Sequence, residues 1–303
     1  MGERLVSVGQ RLRLGSAFPV LSQLPPGLAY AAATRVGLWS GQDLVNARTA
    51  VRNGYLRVWP EMASDPPLLD SWGRRYTDML ARETMDVFRM HRLDAGTIRR
   101  LIDVDDVSAL AQAQQEGRGV ILVMAHFSRL IMLLAALGMM GFRIGMLTMR
   151  VDSSNEALAP AMRRFLQMKI DRLRQVIRGN WICLGDNLRP MYTGLARGEV
   201  WVVLADAYMA DFGEWREFPF LGGTLRLSGG IERIAARTGA RMVYGAVNER
   251  GSRLVGDVRA LPADPSAGLA AAVGELERDV RATPWQWWQW NILDYIWSSG
   301  AKV

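Results

Sequence analysis

Metal and disulfide chemistry have almost no residues to work with in this sequence. There is one cysteine, Cys183, and there are two histidines, His91 and His126. Neither a disulfide framework nor a thiolate cluster can form, and no zinc-binding spacing exists. Cys183 sits among Trp181, Ile182 and Leu184 and reads as a core residue. No apolar run reaches the ~18 uncharged residues of a membrane-spanning helix. Residues 1–15 carry Arg4, Arg11 and Arg13 but lack the apolar core and small-residue cleavage site of a secretory signal. Also missing are a Gly-x-Ser-x-Gly elbow, a Walker loop and a Gly-x-Gly-x-x-Gly turn after a strand. Covalent serine hydrolysis, NTP chemistry and dinucleotide chemistry therefore have no basis here.

What is present is a large core and a basic surface. With 303 residues, 50% hydrophobic and 22% charged, the chain can bury a full core. Lys and Arg number 37 against 30 Asp and Glu, for a net charge of +7. Such a balance suits anionic lipid, acyl carrier protein, CoA or nucleic acid, and equally a surface kept basic for solubility. A cytoplasmic protein on a membrane face is expected.

The first hundred residues are mainly helical. Helices are expected over 28–39, 42–59 and 68–90, the last two separated by Glu61-Met-Ala-Ser-Asp-Pro-Pro67, whose prolines stop a helix. Phe18-Pro-Val-Leu21, with Leu28, Tyr30 and Trp39, fits either a bilayer interface or ordinary packing. From Val104 onward the pattern changes. Short apolar runs at 120–125, 144–149, 181–184, 200–205, 241–247 and 254–260 alternate with helical stretches at 130–141, 155–178, 188–197 and 227–238. This predicts an α/β fold, a single largely parallel sheet covered by helices, with an N-terminal helical segment over 1–103 and the α/β core over 104–303.

One run organises the rest. Gly119-Val-Ile-Leu-Val-Met-Ala-His126 is a strand buried on both faces that delivers a histidine to its C-terminal end, where a helix begins at once. Ligands of open α/β sheets bind at that edge, and the free amides of a helix start can face an oxyanion there. A histidine so placed can serve as a general base near neutral pH. The plainer possibility is a satisfied structural histidine.

Further landmarks fall in a telling order. Val51-Arg-Asn53 through Trp59-Pro60 is similar to an Asn-Leu-x-x-x-Phe-Pro segment. Gly117-Arg-Gly119, the His126 strand and Met149-Arg150 follow, then Arg197-Gly-Glu199, Leu204-Ala-Asp206, Phe218-Pro-Phe220-Leu-Gly222 and Ala236-Arg-Thr-Gly239. Together they resemble the bacterial lipid A biosynthesis acyltransferases, the lauroyl and myristoyl transferases of the lysophospholipid acyltransferase superfamily. The resemblance implies transfer of a fatty acyl group from acyl carrier protein or acyl-CoA, as co-substrate and without a further cofactor, to a hydroxyl, or second to it an amine, of a lipid or glycolipid. It also implies a peripheral enzyme on the cytoplasmic face of the inner membrane, meeting an anionic surface and no nucleic acid.

The sequence departs from that family at a catalytic position. The family pattern is His-Phe-Gly-Asn-Trp-Glu, whereas this chain reads His126-Phe-Ser-Arg-Leu-Ile131. Ile131 cannot orient an imidazole, and a carboxylate on the other ring nitrogen is what would fix the tautomer. Glu217, just before Phe218-Pro-Phe220, is the first candidate for a substitute; Asp206, ending a buried strand at the His126 edge, is the second. A helix cap for Asp206 and a solvated loop charge for Glu217 are the ordinary alternatives. Ser128, Arg129, Arg150 and Met149 are candidate substrate contacts. The arginines suit a phosphate, unless they are plain surface charges, and Ser128 suits a hydrogen bond. Met149 belongs with Met132, Met139, Met140 and Met146 to a thioether-rich stretch suited to an acyl chain or to ordinary core.

The tail Pro284-Trp-Gln-Trp-Trp-Gln-Trp290 is similar to the family's Pro-Glu-Gln-Trp-Leu-Trp, but Asn291, Ile292, Leu293 and Asp294 replace the basic residues that follow there. That weakens the expectation of a phosphorylated glycolipid acceptor. Its tryptophans suit a membrane interface or a helix packed on the sheet, the second being preferred. Two functional readings stay open: an acyltransferase with His126 as base, or a non-catalytic descendant that binds lipid or a partner.

Overall fold

The alternation of apolar runs and amphipathic stretches is realised as a seven-stranded sheet. The computed structural model describes residues 8–38, 42–104, 106–152, 158–208, 214–251 and 253–300. The sheet contains β1 (Ile102–Val104), β2 (Val120–Met124), β3 (Ile144–Thr148), β4 (Arg178–Cys183), β5 (Val200–Leu204), β8 (Arg241–Arg250) and β9 (Arg253–Ala260), while β6 (Trp215–Phe220), β7 (Gly223–Ser228) and β10 (Trp297–Ser299) form a second, three-stranded sheet. Strand order in the large sheet is β1-β9-β8-β2-β5-β3-β4. Every neighbouring pair is parallel except β8 with β9. The fold is α/β with a largely parallel sheet, as the sequence predicts, and its N-terminal region is helical.

β2 lies between β8 and β5, and all of its residues are buried. Gly119, just before it, is forced by packing: a Cβ there would lie 2.3 Å from the carbonyl oxygen of Leu195. After β2 comes the helix Ile131–Met139, whose residues from Ile131 to Gly138 are all buried. A helix apolar on every side is a core helix.

The chain divides into two units, residues 1–93 with 150–175 and residues 94–149 with 176–303. The first is built from the helices Pro26–Leu38, Gln42–Val58, Pro66–Arg89 and Pro160–Ile177. Asp65 caps the third by accepting from Leu68 N at 3.1 Å, and Lys169 pairs with the buried Glu83 within this unit. Trp39 and Asn155, the ends expected for two of these helices, lie outside the described residues. The second unit carries both sheets.

One expected helix begins later than predicted. Residues 227–238 were expected to be helical throughout, but the helix is Gly230–Thr238, because Leu227 and Ser228 belong to β7. β6 and β7 are joined by Leu221 (φ 52°) and Gly222 (φ 77°). Two positive-φ residues make the two-residue turn whose twist matches a hairpin. Pro219 is tolerated because β6 pairs only with β7 and is an edge strand.

Candidate active site

The site is a consequence of strand register. β2 and β5 are parallel neighbours with Met124 opposite Leu204, and Ala205 N donates to Met124 O at 2.8 Å, one step beyond the strands. His126 and Asp206, each two residues past that matched pair, therefore meet across the gap between adjacent strands. His126 Nδ1 lies 2.8 Å from Asp206 Oδ1, and the backbone N–H of His126 lies 3.0 Å from both carboxylate oxygens. Trp287 Nε1 donates to Oδ2 at 2.9 Å. A fully buried carboxylate thus meets three N–H groups, the arrangement that makes a buried charge tolerable.

This arrangement fixes the imidazole. An ionised carboxylate only accepts, so Nδ1 carries the proton and Nε2 presents a lone pair. The ring is 26% exposed, and among the described residues nothing bonds Nε2. Gln289 Nε2 donates to the Asp206 carbonyl oxygen at 2.8 Å and lies 3.0 Å from His126 Nδ1. With Nδ1 protonated, both of those nitrogens are donors, so the amide is held by the Asp206 carbonyl and makes no hydrogen bond to the ring.

The tail locks the loop that carries His126. Phe127 and Trp287 form an antiparallel bridge, Ser128 N donates to Gln286 O at 2.6 Å, and Trp288 N donates to His126 O at 2.8 Å. Trp288 Nε1 donates to Ser128 O at 2.9 Å, and its ring is tilted against the imidazole with centroids 5.9 Å apart. Gln286 Oε1 accepts from Glu249 N at 2.9 Å, which ties the tail to the end of β8. Trp287 and Trp290 are buried and packed edge to face at 5.0 Å. The tail is a run of short turns and one four-residue helix, not the single helix expected.

Of the two candidate acids, Asp206 is the one at His126, which reverses their order of preference. Glu217 lies on β6 directly opposite Arg226 of β7, its side chain 66% exposed and 3.7 Å from that guanidinium. Pleating accounts for this placement, since Phe220 and Leu225 take the inward side of the hairpin and Glu217 is left outside. Ser128 is wholly buried with φ 51°, and its Oγ has no hydrogen-bond partner among the described residues. Arg129 is not a surface charge: it is 6% exposed and its Nη1 lies 3.4 Å from Glu249 Oε1. Met149, just past β3, is 47% exposed, whereas Met132 and Met146 are core residues. Arg150 belongs to the other unit and lies 3.7 Å from Asp152. Among the described residues, no group of three or more His, Cys, Asp or Glu could hold a metal ion.

Sequence reasoning missed Trp287 and Gln289 as parts of this site. A usable signal was there: buried tryptophans need acceptors for their indole N–H groups, and a Trp- and Gln-rich segment carries donors to match a buried carboxylate.

A search of curated proteins found no match to this chain. The sequence model of the bacterial lipid A biosynthesis acyltransferases matches residues 14–290, a span that takes in His126, Asp206 and the tail through Gln289. On that match, covering most of its length, the chain belongs to the bacterial lipid A biosynthesis acyltransferase family.

Proposed function

We propose that this lipid acyltransferase moves a fatty acyl group from the thioester of acyl carrier protein or CoA to a hydroxyl of a lipid or glycolipid, with His126 as general base. The observation that carries the reading is the 2.8 Å contact between His126 Nδ1 and Asp206. It holds the ring in the tautomer that leaves a lone pair on Nε2 of a partly exposed ring. The acceptor hydroxyl gives its proton to Nε2 as its oxygen attacks the thioester carbonyl, forming a tetrahedral intermediate. When the C–S bond breaks, the imidazolium returns the proton to the departing sulfur. Asp206 offsets the positive charge that develops on the ring between these steps and stays ionised itself. In this scheme Asp206, not the family's acid position at Ile131, supplies the carboxylate.

The test is transfer of radiolabelled acyl chains from acyl carrier protein and from CoA to a lipid extract, by wild type and His126→Ala. Loss of about 10²- to 10⁴-fold is expected in the variant, the usual contribution of a positioned base. Undiminished turnover by a folded His126→Ala protein would remove His126 from the chemistry. A wild-type protein inert with both donors would favour lipid or partner binding without catalysis.

A further inference from the structure

β2 has a neighbour on each side, β5 and β8, and each presents a carboxylate to the loop that follows β2. Asp206, past β5, takes the imidazole of His126. Glu249, near the end of β8, takes Arg129: Arg129 Nη1 lies 3.4 Å from Glu249 Oε1, and the two side chains are only 7% and 10% exposed. Strand register brings this second pair together as it does the first. Val123 is opposite Tyr244 in the parallel β2–β8 ladder. Arg129 is six residues past Val123 and Glu249 five past Tyr244, so both arrive at the same edge of the sheet.

A buried ion pair is costly, because both charges lose their hydration and apolar side chains of similar volume often stabilise a fold as well or better. What the pair supplies is a fixed position, and this loop needs one. Ser128 lies between His126 and Arg129 at φ 51°, where a side chain is strained. Such backbone persists only where its surroundings over-determine it. On the near side of Ser128, the His126 N–H is bound to Asp206; on the far side, Arg129 O accepts from Met132 N at 2.9 Å, opening the buried helix Ile131–Met139. Glu249 is tied down in turn, since its N–H donates to Gln286 Oε1 at 2.9 Å, and Gln286 O accepts from Ser128 N at 2.6 Å. These contacts close a ring. It runs from Ser128 to Arg129 through the chain, to Glu249 through the ion pair, and back through Gln286 by hydrogen bonds. Slack at the ion pair would let the loop relieve its strain by drawing His126 away from Asp206. We propose that Arg129 and Glu249 are positioning residues, whose ion pair clamps the His126 loop to β8 and keeps Nδ1 against Asp206.

The test uses the imidazoles as reporters, since His91 and His126 are the two histidines of the chain. Isotope labelling of the histidine ring nitrogens gives two sets of NMR signals, and His126→Ala assigns them. In wild type, His126 should show a proton on Nδ1 that exchanges slowly with water. Arg129→Met/Glu249→Met removes both charges and keeps most of the volume, so its melting temperature should stay near that of wild type. In that variant the Nδ1 proton should exchange about tenfold faster or more, because the loop opens more often. Its kcat should fall by about tenfold to a hundredfold with KM changed by less than about twofold. Arg129→Lys, which keeps a cation for Glu249, should lie closer to wild type than to the double variant in both readouts. If the double variant melts far below wild type, Arg129→Gln/Glu249→Gln, a neutral and shorter pair, takes its place with the same expected losses. A folded variant with wild-type exchange at Nδ1 would overturn the proposal, whatever its turnover. Only the kinetic readout rests on His126 as the base: faster exchange with unchanged turnover would keep the clamp and remove that reading.

Discussion

Trp287 and His126 divide the carboxylate of Asp206 between them, the indole taking Oδ2 at 2.9 Å and the imidazole Oδ1 at 2.8 Å. The division gives each oxygen one side-chain donor, so the carboxylate has little freedom to rotate. Strand register sets the distance between base and acid, and a tail more than eighty residues further along sets the orientation of the acid.

Asp206→Asn separates orientation from bulk. The Trp287 N–H and the backbone N–H of His126 would hold the amide oxygen at the Oδ2 position, turning the amide NH₂ toward Nδ1. That forces Nδ1 to accept and places the proton on Nε2, the atom meant to act as base. Turnover should fall by about 10²- to 10⁴-fold, the range expected when a histidine base is held in the wrong tautomer. Glu217→Gln is the control: it breaks only an exposed 3.7 Å pair, so turnover should stay within about twofold and stability within about 0.5 kcal/mol. Steady-state kinetics on both variants decide the matter, and a larger loss in Glu217→Gln would sink the Asp206 assignment.

Restoring the family's acid at Ile131 should not improve the enzyme. Ile131 is 1% exposed in a helix that is buried along nearly its whole length, and His126 Nδ1 is already held by Asp206. Ile131→Glu would bury a carboxylate in a helix that is apolar on every side, which costs several kcal/mol or leaves the group protonated. A clear drop in melting temperature with no gain in turnover is expected. A variant markedly more active than wild type would mean that Asp206 does not fill the acid's role.

Ser128 stands where the family pattern has glycine, and its backbone explains why glycine suits that place. At φ 51° a side chain is strained by about 1–2 kcal/mol, and a buried hydroxyl with no partner among the described residues adds to the cost. Ser128→Gly should therefore raise stability to urea by about 1 kcal/mol or more. If Oγ touches substrate, the same variant should lose turnover while gaining stability. Unchanged kinetics would limit Ser128 to positioning the loop through its backbone.

How much of this was legible in the sequence depends on the range of each contact. Residues 120–125 announce a buried strand through local composition, and His126 follows from where that run ends. Choosing Asp206 over Glu217 required knowing that β2 and β5 are neighbours although β3 and β4 come between them in the chain. The β6–β7 hairpin was hidden because its turn places Leu221, an unusual residue for positive φ, where asparagine or glycine would have marked it. Trp287 and Gln289 reach the site through short turns with no periodicity to read. Their roles follow from which buried acceptor needed donors, and only the folded chain brings those together.

Asp279, on the helix Pro265–Ala282, is buried and accepts from the Tyr244 hydroxyl at 3.0 Å. Burial pushes its pKa up to about 6, with Asp257 and Glu275 adding to the rise, against the opposing pull of the Tyr244 hydrogen bond and Arg259. Between the ordinary carboxylate value of 3.8 and about 6, the folded protein holds a proton that the unfolded chain has lost. Stability from this group is therefore fully present below that window and is lost as pH rises through it, by at most about 3 kcal/mol. Asp279→Asn keeps an acceptor for Tyr244 and removes the titration. Urea unfolding of both proteins across this range should show the variant gaining on wild type as pH rises from about 4 to about 6, with a constant difference above about 7. A difference that does not change with pH would mean that Asp279 titrates like an exposed carboxylate, with Tyr244 and the surrounding water compensating its burial in full.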